Sequence, residues 1–114
     1  MTYLDFTDLD GLQGEISAID IGNGQSGNCE VCPVALALRR MFEGCEIHVT
    51  LETVTVYEYG GDVCTVLCIS ERLAAWIDAY DHEKPVVPVP LQIYTWNVKG
   101  YDYMLDIADV SAPT

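Results

Sequence analysis

Along this chain the spacing of apolar residues switches between helical and alternating patterns, and each switch outlines an element. Glu15-Ile16-Ser17-Ala18-Ile19-Asp20-Ile21 alternates imperfectly and predicts a first strand. Gly22 to Asn28 holds three glycines and predicts a flexible connector. It matches neither a P-loop nor a dinucleotide fingerprint. Val34, Ala37, Leu38 and Met41 then fall on one helical face. Pro33 suits the first turn, where its missing N–H is no loss, and Gly44 is the natural stop. Arg39 and Arg40 occupy the last turns, which favours the helix dipole.

From there the period becomes two. Ile47, Val49 and Leu51 point one way, and Glu46, His48 and Thr50 the other. Val54 and Val56 alternate with Thr53, Thr55, Tyr57 and Tyr59, and Gly60-Gly61-Asp62 signals a turn. Val63 to Ile69 is nearly all apolar or β-branched, as in a central strand. Ser70 is a good N-cap for a second helix, whose core stripe is Leu73, Trp76, Ile77 and Tyr80 and whose end falls near Asp81-His82. Val86 to Pro90 reads as an extended link, because its prolines remove ladder donors. Leu91–Val98 and Tyr101–Ile107 follow as strands, with a turn over Asn97 to Gly100. The fold class expected is α+β: an antiparallel sheet of four to six strands with two helices packed on one face. Residues 1–114 form a single domain, with 1–14 a partly ordered acidic arm and 108–114 a flexible tail.

Charge narrows the function classes. Eighteen acidic residues against five basic ones give a net charge of −13. Such a surface repels phosphate, which argues against direct binding to nucleic acid or to an anionic membrane. It suits docking on a basic protein surface. Half of the residues are hydrophobic, which separates this chain from disordered acidic sequences. No stretch of ~18 apolar residues is present, and Met1 to Asp10 lacks the basic start of a secretory signal, so the cytoplasm is the expected compartment.

Five cysteines leave one unpaired in any disulfide framework. Cys29-x2-Cys32 ahead of a helix has the spacing of a redox pair, but a glycine-rich loop stands where a thioredoxin unit has a strand. The same two cysteines are the candidate ligands of a zinc site. Cys64 and Cys68, four apart in one strand, would sit about 13 Å apart and could not share that metal. The preferred reading is that the thiols serve as small hydrophobes, with no cofactor and no catalysis. Glu46, His48, Glu52 and Glu58 could line one sheet face, and Tyr57, Tyr59, Tyr94 and Trp96 are aromatics of the kind enriched at interface hot spots.

Three pieces together resemble a family of small tailed-bacteriophage proteins, common in phages of actinobacteria: Cys32-Pro33-Val34-Ala35-Leu36-Ala37-Leu38-Arg39-Arg40, a short β-rich middle, and Trp76-Ile77-Asp78-Ala79-Tyr80-Asp81 leading to Lys84-Pro85-Val86-Val87-Pro88. The resemblance spans roughly residues 15–95 and implies shared fold-forming residues but no assigned activity. It implies a phage product that inhibits or redirects a host defence or nucleic-acid-handling protein, by DNA mimicry if carboxylates repeat at the ~6.6 Å of alternate strand residues. The partner-binding residues expected are Asp5, Asp8, Asp10, Glu46, Glu52, Glu58, Tyr57, Tyr59, Tyr94 and Trp96. The alternative is a small-ligand or nucleotide binder or sponge, compatible with a homo-oligomer.

Overall fold

The computed structural model describes residues 9–28, 30–58, 62–98 and 100–108. Six strands and three helices follow one another as β1 (Gln13–Ile16), α1 (Ala18–Asn23), α2 (Pro33–Met41), β2 (Cys45–Val49), β3 (Thr53–Glu58), β4 (Val63–Ile69), α3 (Glu71–Asp81), β5 (Val89–Val98) and β6 (Tyr101–Ile107). The strands form one sheet in the order β1-β5-β6-β4-β3-β2. The α+β class therefore holds, with a six-stranded sheet. Neighbouring strands run antiparallel except β4 and β6, which are parallel, so the sheet is mixed. The parallel pair arises because α3 and β5 intervene between β4 and β6. After α3, residues 83–88 return alongside the helix, pinned where Trp76 Nε1 donates to the Val87 carbonyl at 3.0 Å. A stretch rich in proline suits this path, since it contributes no ladder donors.

The register assigns the two sheet faces. Ile47 and Val49 pair with Val56 and Val54, Leu67 lies beside Val54, and Leu105 lies between Ile69 and Ile93. These side chains form the inner face. Together with Val34, Leu38 and Phe42 from α2 and its C-cap, and Leu73, Trp76 and Ile77 from α3, they make one buried cluster. Fully burying such a side chain stabilises by roughly 1.5–3 kcal/mol each, so this inner layer carries most of the driving force. Both expected helices sit where the pattern put them. Pro33 opens α2, Gly44 follows it at φ +81°, and Ser70 Oγ caps α3 by accepting from Leu73 N.

The third helix replaces the second half of the expected first strand. Strand β1 stops at Ile16, because Ser17 and Asp20 form a capping box that starts α1. The glycine segment is not a loose connector either. Tyr80 OH donates to the carbonyls of Ile21 and Gly24, and Gly27 N donates to Asp81 Oδ1. Of the N-terminal arm, residues 9–12 are docked: Leu9 is buried, and Gly11 N and Leu12 O exchange hydrogen bonds with Ile93.

Helix α2 touches both edge strands of the sheet, β1 and β2. The sheet therefore curls, and α2 lies across its opening. Arg40 strengthens the closure. Its guanidinium donates to the Glu15 carbonyl of β1 at 2.9 Å and forms an ion pair with the buried carboxylate of Asp20. Burial alone would raise the Asp20 pKa, but the hydrogen bonds from Arg40 and Ser17 outweigh it and hold the carboxyl below its ordinary value.

Candidate protein-binding surface

The outer sheet face is not covered by the apolar stripes of α2 and α3, which point into the inner cluster. Cross-strand pairing places Glu46 beside Tyr57, His48 beside Thr55, and Tyr94 beside Met104, with Cys68 on the far side of Met104. Tyr57, Tyr94 and Trp96, expected as anchors from sequence, are thereby brought to one face. Trp96 is 39% exposed. Its ring meets that of Tyr94 edge-on, with centroids 6.1 Å apart and planes at 73°. Met104 is nearly buried beneath them.

A polar network anchors this aromatic group. Asp106 lies on the outer face opposite Gln92 and is buried. It accepts from Ser70 Oγ, from Arg72 Nη2 at 2.8 Å, and more distantly from Tyr94 OH at 3.4 Å. Tyr94 OH also lies 2.9 Å from Met104 Sδ. Burial pushes the Tyr94 hydroxyl pKa up, and the Asp106 charge pushes it further, so the phenol stays a donor. For Asp106 burial acts upward too, but Arg72 and Ser70 outweigh it and hold the carboxyl below its ordinary value. Arg72 additionally donates to the Ile107 carbonyl. The pair fixes the start of α3 against β6.

Two clefts open beside these aromatics, one at Trp96 and one at Tyr57. One, of about 410 Å³, lies between Trp96 and the start of α3, with Cys68 and Met104 in its lining and Glu71 and Arg72 beside it. The other, of about 600 Å³, lies at the β2 margin among Glu30, Arg39, Glu46, His48 and Tyr57. The first was not visible in sequence, because it depends on β4, β5 and β6 being neighbours.

The acidic residues expected to bind do not form one row. Glu46 is exposed on the outer face, but Glu52 sits in the turn after β2, where Thr50 Oγ1 accepts from the Glu52 and Thr53 amides. Glu58 is exposed at the far end of β3 opposite Cys45, on the face away from Glu46. Asp10 is exposed but committed, accepting from Thr95 N at 2.8 Å and from its hydroxyl at 3.3 Å. Asp5, Asp8, Tyr59 and Cys29 lie outside the described residues.

Cys32 is buried at the N-cap of α2 and packs in the core. Cys45, Cys64 and Cys68 are free and half-buried. Cys64 and Cys68 part company, as their spacing in one strand implies: Cys68 is cross-strand from Met104, whereas Cys64 faces Cys45 across the register shift between Val56 and Tyr57. Burial raises the pKa of both Cys45 and Cys64. Among the described residues no group of three or more His, Cys, Asp or Glu side chains could hold a metal ion, and no helix is long and apolar enough to cross a membrane. No family model, curated protein or solved structure matches this chain.

Proposed function

We propose that this protein is a non-catalytic binding protein, encoded by a tailed phage of the kind its two helix-forming segments resemble, that docks on a basic surface of a host protein in the host cytoplasm and blocks or redirects it. The observation that carries this reading is the outer sheet face, which presents Tyr57 on β3 and the Tyr94–Trp96 pair on β5, while Arg72 beside that pair is held by Asp106. Tyrosine and tryptophan on a rigid sheet supply contact area at low entropic cost. The net charge of −13 supplies long-range attraction to a basic partner and speeds encounter. The recognition surface is an acidic patch around aromatic anchors. It is not a phosphate-like row, because Glu46 lies on the outer face, Glu52 in the turn after β2 and Glu58 on the opposite face.

Affinity capture from lysate of an actinobacterial host, run at low and high salt, tests the reading. One host protein should be retained at low salt and released as salt rises, and a Glu46→Gln/Tyr57→Ser variant should retain less of it. Equal retention by the variant at both salts refutes the proposal. A second reading, small-ligand binding, is favoured by the roomy cleft that sets Arg39, His48 and Tyr57 together. It predicts thermal stabilisation by nucleotides or other small anions and no retained protein.

A further inference from the structure

The smaller cleft has a chemistry of its own. Its lining includes Cys68, Met104 and Trp96, together with Glu71 from the first turn of α3. Arg72, which also borders it, is turned toward Asp106 and the Ile107 carbonyl. Polarizable sulfur and an indole make a poor environment for a strongly hydrated ion, but a good one for a flat, weakly hydrated cation on an apolar stem. Glu71 is exposed, so its carboxylate can take such a group.

We propose that this cleft receives a single arginine side chain of the partner, its guanidinium lying against Trp96 and pairing with Glu71. The inference rests on the basic-partner reading above and names the contact that would give it specificity. Arginine is favoured over lysine because its planar guanidinium both stacks on an aromatic ring and forks onto a carboxylate. Charge complementarity selects the occupant: an anion would have to approach a molecule of net charge −13, with Glu71 beside it.

The two tryptophans allow a direct test. Trp76 is buried, with its indole N–H held by the Val87 carbonyl, so its indole resonance is an internal control. Isotope-labelled protein is titrated with hexa-arginine and with hexa-lysine at low and moderate salt. Hexa-arginine should bind several-fold more tightly, shifting the Trp96 indole N–H and leaving that of Trp76 in place. Trp96→Leu should weaken hexa-arginine binding by roughly tenfold and abolish its advantage over hexa-lysine. Glu71→Gln, a surface change that spares the fold, should weaken it a few-fold. Salt-sensitive binding that leaves the Trp96 indole unmoved, or that both variants retain in full, overturns the cleft while leaving the acidic-surface reading standing. If neither peptide binds at low salt, both fall.

Discussion

Asp106 illustrates how one residue can tie two distant elements together. Its carboxylate receives the hydroxyl that caps α3 and the guanidinium of the second residue of the same helix, while its backbone runs in β6. Because its folded pKa lies below the ordinary value of 3.8, the stabilisation it contributes is present in full above that value and is lost as pH falls through the lower, folded one. Asp106→Asn should therefore cost about 1–2 kcal/mol at pH 7, a figure moderated by the half-exposed Arg72 side chain. In urea titrations the variant and the parent should converge as the pH is taken below 3.8. None of this pairing was legible in the sequence. Arg40 reads as a dipole residue and Arg72 carries no signal of its own, because the acids they serve, Asp20 and Asp106, lie 20 and 34 positions away. Ser70 was legible, since its role as a cap is local.

At the scale of elements, local chemistry decided what could be foreseen. Helices α2 and α3 carry their own start signals and periodicity, and strand β4 its own β-branched run. The boundary at Ser17 was misplaced because the alternation of apolar residues through Ile21 outshone the Ser17–Asp20 capping box. The parallel pairing of β4 with β6 is a property of the path of the chain, which no window of sequence holds. The glycine segment makes the sharpest case. A Cβ on Gly24 would fall against the ring and main-chain nitrogen of Pro33, which cannot yield. One on Gly14 would meet the side chain of Met41, which can swing aside. Gly24→Ala should consequently cost about 1–3 kcal/mol, and Gly14→Ala clearly less. Thermal denaturation of the two variants side by side would check the order, and equal melting temperatures would show that the loop gives way.

For the molecule as a whole, electrostatics and closure set the behaviour. The ion pairs Arg40–Asp20 and Arg72–Asp106 involve nearly buried carboxylates, whereas Glu43, Glu46, Glu52 and Glu58 among others are exposed. The self-repulsion of net charge −13 acts at longer range and is screened first, so raising sodium chloride from about 20 mM to 150 mM, which cuts the Debye length to about 8 Å, should raise the melting temperature. A fall would mean that the local pairs dominate. Closure depends on one element, since α2 lies across β1 and β2 together. Strands at a sheet margin are templates for pairing with other chains. A molecule with one bare margin can pair once and stop as a dimer, but one bared at both margins is bivalent and can add copies without end. Loosening α2 alone would make that change in a single step, because the same helix packs on both margins.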